Sequence, residues 1–125
     1  MDQNRPMKTI LIVEDNPVNM DLMIQLLEED YHLILAVDGS EALEMISSQK
    51  PDLVLMDMSL PEVDGYDATQ RIKADKKLCH IPVIGLSAHA MSGDAEKAAK
   101  AGCDAYLTKP IDFDQLFDIL DRFLK

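Results

Sequence analysis

The sequence contains no tryptophan, only two cysteines and few basic residues. The cysteines, Cys79 and Cys103, come without an export signal, so no disulfide is expected and both should be small buried side chains. Lys and Arg number 12 against 23 Asp and Glu, and the formal net charge is −11. A nucleic-acid surface is therefore excluded, and the one basic segment, residues 73–77, is expected on a solvated helix end. No apolar run could cross a bilayer, so the expected location is cytoplasmic, without membrane association.

The composition that remains is that of one globular domain. Apolar residues make up 47% and charged residues 28% of the 125 residues. That length supports a single core and is too short for two. We expect one domain over residues 1–125, with a core at about 8–124 and no effector domain.

Apolar runs of strand length recur along the chain, separated by segments with helical spacing. The runs cover residues 9–13, 33–37, 53–56, 83–86 and 105–107. Near-continuous apolar strands that alternate with helices indicate a parallel sheet buried on both faces. We therefore predict an α/β fold of the flavodoxin-like type, a three-layer (βα)5 sandwich. Its five-stranded parallel sheet should have the order 2-1-3-4-5.

Three of the helices carry start signals. Asn16 should cap the first, with Pro17 in its first turn, Asp38 and Glu41 have capping-box spacing before the second, and Asp112 should cap the last. The apolar faces are predicted from helical spacing. They comprise Val18, Leu22 and Leu26, with Met23 and Leu27 beside them, in the first helix, Ala42, Leu43 and Ile46 in the second, and Phe113, Leu116, Phe117, Leu120, Phe123 and Leu124 in the last. The fourth helix, predicted within residues 91–102, should be weakly anchored because its inner face is small: Ala95, Ala98 and Ala99.

Polar side chains follow the strands where they end. Ligands of such sheets bind beyond the carboxyl ends of the strands, at the switch point between strands 1 and 3. Strand 1 is followed by Glu14 and Asp15, and strand 3 by Asp57. Strands 4 and 5 add hydroxyl and ammonium groups to the same edge: Ser87, Thr108 and Lys109.

This set of groups favours a metal and a phosphoryl group. Three carboxylates in one place repel one another unless a cation lies between them, and hard oxygen ligands suit Mg²⁺. A carboxylate beside Mg²⁺, with a lysine and a hydroxyl opposite, can hold a phosphoryl group and attack it. Helix capping would explain one of the acids, but not three acids that converge with a lysine.

Four segments carry a resemblance to a known family. VEDNPVN, LVLMDMSLPEVDG, GLSAHAM and AYLTKP resemble the four signatures of response regulator receiver domains in two-component signalling. Each motif is modest alone, but they occur in the right order and spacing over essentially the whole chain. The resemblance implies that Asp57 is the phosphoacceptor and that Lys109 contacts the phosphoryl oxygens.

The resemblance also implies a metal site. Asp15 and Asp57 would bind Mg²⁺ together with the backbone carbonyl of Ser59, and Glu14 would help, partly through water. Glu14 stands where an aspartate is more usual, and the extra methylene suggests a looser hold on the metal's water shell. Mn²⁺ is expected to be able to substitute.

Further residues would convert phosphorylation into a signal. Ser87 would move to hydrogen-bond the phosphorylated aspartate, and Tyr106 would change rotamer with it. Ser59 and His89 occupy the positions that flank the attacking water and tune the phosphoryl lifetime, although His89 is equally consistent with a solvent-facing loop histidine. Receiver domains also have a cis peptide bond at the position of Lys109–Pro110.

The function that the resemblance implies is a single-domain response regulator, a phosphoacceptor and not a dedicated enzyme. Its partners would be a histidine kinase or histidine phosphotransferase and downstream effector proteins. The effectors would bind a surface formed by helix 4, strand 5 and helix 5, and the protein would be a monomer or weak dimer.

Four alternatives stay open at this point. The chain could be the C-terminal receiver of a hybrid histidine kinase. It could be a Mg²⁺-dependent phosphohydrolase, but no insertion supplies a second acid or a substrate pocket. A flavin- or nucleotide-binding module would need a phosphate loop after strand 1, where the sequence has EDNPVN. A receiver that signals without phosphorylation would usually lack an acid, the serine or the lysine, and none is missing.

Overall fold

A parallel sheet of five strands forms the centre of the molecule. The computed structural model describes residues 7–58, 65–87 and 94–124. The strands are β1 Thr9–Val13, β2 His32–Ala36, β3 Leu53–Asp57, β4 Val83–Ser87 and β5 Ala105–Thr108. All neighbouring strands are parallel, and their order is β2-β1-β3-β4-β5. The predicted flavodoxin-like fold is confirmed.

A helix follows each strand. The helices are α1 Pro17–Leu27, α2 Gly39–Gln49, α3 Gly65–Ala74, α4 Asp94–Ala101 and α5 Phe113–Leu124. The predicted caps are confirmed: Asn16 Oδ1 accepts from Val18 N at 2.9 Å, and Asp38 Oδ1 accepts from Glu41 N at 2.8 Å. Asp112 Oδ1 likewise accepts from Gln115 N at 3.2 Å. None of the described helices is long and apolar enough to span a membrane.

The two faces of the sheet carry separate cores. One core lies against α2 and α3 and contains Ala42, Ile46 and Ile72. The other lies against α1 and α5 and contains Met23 and Leu116. Strands β3 and β4 are buried along their whole length, which is why they read as continuous apolar runs.

The apolar face predicted for α1 is wrong at Val18 and Leu22 but confirmed at Met23 and Leu27. Val18 is 75% and Leu22 45% exposed, while Met20, Met23 and Leu27 are buried. Both sets have helical spacing, because apolar residues surround most of this helix. The sheet therefore determines which set is buried, and the periodicity alone does not.

The faces of α5 and α4 also differ from those predicted. Phe113 and Phe117 are exposed, and Ile119 is buried beside Leu116 and Leu120. In α4, Ala98 and Ala101 are buried, but Ala99 is exposed. The side chain of Ala95 lies outside what the structure describes.

The two cysteines are free, and only one is shielded from solvent. Cys79 is exposed, so its predicted burial is wrong, and Cys103 is partly buried. Cys79 lies in the α3–β4 turn, where its Sγ is 3.8 Å from Lys76 O.

Residues 74–77 are exposed at the end of α3 as expected, but the side chain of Lys73 is largely shielded from solvent. Its Nζ donates to Ile81 O at 2.8 Å, to Cys79 O at 3.1 Å and to Asp104 Oδ2 at 2.8 Å. These bonds fasten the end of α3 to the start of β4 and to the α4–β5 turn. The carbonyls of Cys79 and Ile81 precede β4 and are not part of the sheet's backbone hydrogen bonding. The ammonium group of Lys73 therefore provides these two acceptors with a donor.

Candidate metal and phosphoacceptor site

Three carboxylates meet at the carboxyl edge of the sheet. Glu14 and Asp15 directly follow β1, and Asp57 is the last residue of β3, the strand next to β1. One carboxylate oxygen from each of these residues lies within 4.8 Å of the other two. The sequence prediction that these acids converge is confirmed by this geometry.

Two of the three acids are buried and one is open to solvent. Glu14 and Asp57 are each 3% exposed, whereas Asp15 is exposed. The backbone holds Glu14 in place, because Glu14 N donates to Ala36 O at 3.1 Å and Asn16 N donates to Glu14 Oε2 at 3.2 Å. The cap of α1 thus also orients an acid of the site.

Lys109 brings a positive charge to this cluster. Its backbone N donates to Ser87 O at 2.7 Å, which fixes the residue just past β5. Its Nζ lies 2.6 Å from Glu14 Oε1 and 3.4 Å from Asp57 Oδ2. The Lys109–Pro110 peptide bond is cis, as expected.

Burial and charge shift the proton affinities of this pair. Burial is the main cause that raises the pKa of Glu14, Asp57 raises it further, and the Lys109 hydrogen bond opposes both. Burial lowers the pKa of Lys109, but its contacts with Glu14 and Asp57 outweigh burial, and the pKa is raised. The ammonium group therefore stays charged at neutral pH.

Ser87 and Tyr106 lie on the neighbouring strands. Ser87 ends β4, is 3% exposed and pairs in register with Thr108, while Tyr106 pairs with Gly85 and is partly buried. Asp57 is in register with Leu86, so Ser87 lies one residue further along toward the site. Ser59 and His89 lie outside the described residues.

Gly65 belongs to the surroundings of the site, although the sequence reasoning gave it no role. A Cβ at this position would lie 2.5 Å from Asp57 O and 2.6 Å from Met58 Cα. The first residue of α3 therefore packs directly on the backbone of Asp57. The available signal was the glycine of VDG at the start of a helix, but the close approach is a tertiary feature.

The residues present fit a divalent cation with hard ligands. Three carboxylates face one ammonium group, so negative charge remains in excess at a partly buried place. Oxygen ligands, one of them open to water, match the preference of Mg²⁺ for carboxylates and retained waters.

Comparison with known proteins defines the class to which this fold and site belong. The model of the response regulator receiver domain matches residues 10–121, and the chain belongs to this family. The chain is 43% identical to the polar-differentiation response regulator DivK of Brucella anthropi over 118 aligned residues. The alignment covers 94% of this chain and 96% of that relative. The family prediction is confirmed.

Solved structures show the same architecture. The receiver domain of a sensor histidine kinase from Pseudomonas aeruginosa is 40% identical, with a TM-score of 0.86 and coverage of 94% of this chain and 97% of that one. That structure has a magnesium ion coordinated in its active-site cleft. The phosphorylated cyanobacterial phytochrome response regulator RcpA is 30% identical, with a TM-score of 0.81 and 95% coverage of both chains.

Proposed function

We propose that this chain is a single-domain response regulator that accepts a phosphoryl group on Asp57 and then binds effector proteins. The observation that carries the proposal is the position of Asp57. It ends a buried strand beside Glu14 and Asp15, and its Oδ2 lies 3.4 Å from Lys109 Nζ. The phosphoryl donor would be the phosphohistidine of a histidine kinase or histidine phosphotransferase.

In the proposed transfer, a carboxylate oxygen of Asp57 attacks the phosphorus. An O–P bond forms as the N–P bond of the phosphohistidine breaks, and the imidazole leaves with the electron pair. Lys109 would contact the phosphoryl oxygens and offset their charge. Its contact with Glu14 would keep the ammonium group near Asp57 before a donor arrives.

Asp15, Asp57 and the backbone carbonyl of Ser59 would hold Mg²⁺, with Glu14 assisting. When bound, the metal neutralises charge on the transferring phosphoryl oxygens. Mn²⁺ would substitute, since it accepts similar oxygen ligands. The magnesium ion in the 40% identical Pseudomonas receiver domain supports this assignment.

The signal would be a population shift toward a second packing. The phosphoryl group would stabilise the conformer in which Ser87 hydrogen-bonds it, and Tyr106 on the next strand would change rotamer with Ser87. The surface formed by α4, β5 and α5 would then bind effectors. Ser59 and His89 would set how long the phosphoryl group lasts.

One observation supports single-domain action over the alternatives. The Brucella relative, a response regulator, is covered over 96% of its own length, so it too is about one receiver domain long. The hybrid-kinase alternative has support from the similarity to receiver domains of two histidine kinases, which are 40% and 34% identical to this chain. We place the regulator in the cytoplasm as a monomer or weak dimer.

The proposal is tested by intact-protein mass after incubation with acetyl phosphate. A gain of one phosphoryl group is expected with Mg²⁺, none after chelation, and none in Asp57→Asn. A gain that persists in Asp57→Asn would overturn the assignment of the acceptor. If wild type gains nothing either from acetyl phosphate or from a panel of phosphorylated histidine phosphotransferases, phosphorylation is not the input.

A further inference from the structure

The outer edge of β2 is open along the part of the chain that the structure describes. β2 ends the sheet order and pairs with β1 alone. His32 N donates to Lys8 O at 2.9 Å, and Ala36 O accepts from Glu14 N at 3.1 Å, so these residues direct their backbone groups toward β1. Alternate strand residues direct theirs to the opposite side, so the N–H and C=O groups of Leu33 and Leu35 point to the open edge.

This edge lacks the features that normally prevent pairing. Residues 31–37 read YHLILAV and contain no acidic residue, lysine, arginine, proline or glycine. Charges, prolines and bulges are the usual means by which proteins block an exposed edge strand. Leu35 is 38% and Val37 51% exposed, so apolar side chains accompany the unpaired backbone groups.

An apolar groove runs beside the edge, on the α1 side of the sheet. It consists of two adjoining cavities of about 350 and 280 Å³ that share Ile24 and Leu35. Met7 and Leu33 line the cavity at the amino end, and Val37 lines the one at the carboxyl end. A strand placed against β2 could direct every second side chain into this groove.

The charges at the ends of the groove are acidic. Glu28 lines the amino-end cavity, and Asp21 and Glu41 line the carboxyl-end cavity, which also borders the acids of the candidate site. Among the residues that the structure describes, no lysine or arginine lines either cavity. The complementary ligand therefore carries positive charge near its ends.

We propose that the β2 edge and this groove bind an extended segment of a partner protein, which adds a sixth strand to the sheet. The segment has alternating apolar residues that enter the groove and Lys or Arg near its ends. Five paired residues would span about 17 Å, the length of β2. A second copy of this chain fits poorly, since two such edges would bring the acidic ends of one groove toward the acidic ends of the other, and each chain carries −11.

The test selects a display library of random peptides, each of about nine residues, on the unphosphorylated full chain. Enriched peptides should alternate apolar residues and carry Lys or Arg at their ends. In ¹⁵N–¹H spectra they should shift the amides of residues 31–37. N-methylation of alternate peptide amides and an increase from about 50 to 300 mM salt should each weaken binding.

Two lysine substitutions at exposed apolar positions provide the matched pair. Leu35→Lys should weaken the selected peptides by more than about tenfold, or about 1.4 kcal/mol. Val18→Lys, on α1 and outside the groove, should change affinity by less than about twofold. Phosphorylation by acetyl phosphate in both variants reports that they are folded, and it separates failure of this surface from failure of the proposed function.

Several outcomes would overturn the proposal. One is that no enriched peptide binds with a Kd below about 1 mM, and another is that the chemical-shift changes centre on residues away from β2. The others are that N-methylated peptides bind as tightly as unmodified ones, or that Val18→Lys loses as much affinity as Leu35→Lys. Concentration-dependent dimerisation that Leu35→Lys abolishes would instead assign this edge to a second copy of the chain.

Discussion

At the scale of single residues, Glu14 is the site residue on which burial, a neighbouring negative charge and a neighbouring positive charge act in opposite directions. It is 3% exposed and its Oε1 lies 2.6 Å from Lys109 Nζ, yet Asp57 brings a second negative charge to the same place. Burial and Asp57 raise the pKa of Glu14, and the lysine only partly offsets them. Protonation of this acid is therefore more favourable in the folded chain than in the unfolded chain when no metal is bound.

This shift predicts a pH dependence of stability in the metal-free protein. The folded pKa of Glu14 lies above its ordinary value of 4.5, so the folded chain binds more protons than the unfolded chain between these two values. The stability that this group contributes is present below about 4.5 and is lost as the pH rises through the folded pKa. Urea unfolding of wild type and Glu14→Gln across this range, in EDTA, should show the fall in wild type only. Parallel pH profiles for the two proteins would contradict the expectation.

Gly65 predicts a steric effect on the same site. Gly65→Ala places a Cβ 2.5 Å from Asp57 O and 2.6 Å from Met58 Cα, both backbone atoms that cannot rotate away. We expect a loss of about 2 kcal/mol in unfolding free energy and slower phosphorylation by acetyl phosphate. The control is Gln70→Ala, an exposed position on the same helix, which should change stability by less than about 0.5 kcal/mol. Wild-type stability and phosphorylation in Gly65→Ala would refute the close packing.

The residues of the site could be predicted from the sequence to different degrees. Glu14, Asp15 and Asp57 were predictable because each acid follows an apolar strand, and parallel strands end at one edge. The Lys109–Glu14 ion pair was not, since the sequence does not show which carboxylate a long side chain reaches. The role of Gly65 depends on the distance between α3 and β3, which no local pattern encodes.

At the scale of elements, Lys73 connects three parts of the fold. Its ammonium group binds two carbonyls near β4 and the carboxylate of Asp104, which also accepts from Val83 N at 2.8 Å. Its stem runs beneath the α4–β5 turn, where a Cβ on Gly102 would lie 2.7 Å from Lys73 Cγ. Gly102 has φ +107°, a conformation that favours glycine.

Removal of this ammonium group should destabilise the protein. Lys73→Met keeps the stem but removes the cation beside Asp104 and the donor that Lys73 provides to the carbonyls of Cys79 and Ile81. The expected loss is about 2 kcal/mol in unfolding free energy, measured by urea titration. Lys76→Met, an exposed lysine in the next turn, serves as the control and should have an effect within about 0.5 kcal/mol. Equal effects of both substitutions would show that the three hydrogen bonds contribute little.

The backbone amides of helix α4 should be less protected from hydrogen exchange than those of α1. Helix α4 has eight residues, and among its described side chains those that are buried are the small Ala98 and Ala101. Lys97 Nζ lies 4.2 Å from the centre of the Tyr66 ring on α3. Burial of alanine contributes little free energy, so local opening should be easy. Hydrogen exchange should be at least about tenfold faster in α4 than in α1, whose buried face has Met20, Met23 and Leu27. Equal protection would contradict a weakly anchored α4.

The elements also show where patterns in the sequence stop being informative. The strands were predicted within about one residue, because burial on both faces makes them continuous apolar runs. The faces of α1 and α5 were predicted only in part, because apolar residues lie on more than one side of each helix. In α1 the exposed Val18 and Leu22 and the buried Met20 and Met23 are equally apolar, so only contact with the sheet distinguishes them.

At the scale of the whole molecule, the parallel sheet concentrates charge at one edge. Five strands end at the same side, and the acids and the lysine that follow them come from β1, β3 and β5. The net charge of −11 adds to the negative potential there. A chain with this distribution attracts cations, and the metal would allow a phosphoryl group to approach the acids.

The most direct test of the central claim is to locate the phosphoryl group on the chain. Borohydride reduction converts an aspartyl phosphate to homoserine, which peptide mass spectrometry can assign to one residue. After incubation with acetyl phosphate and Mg²⁺, we expect homoserine at Asp57 and at no other acid. Homoserine at Asp15, or reduction of Glu14 in place of Asp57, would contradict the assignment of the phosphoacceptor.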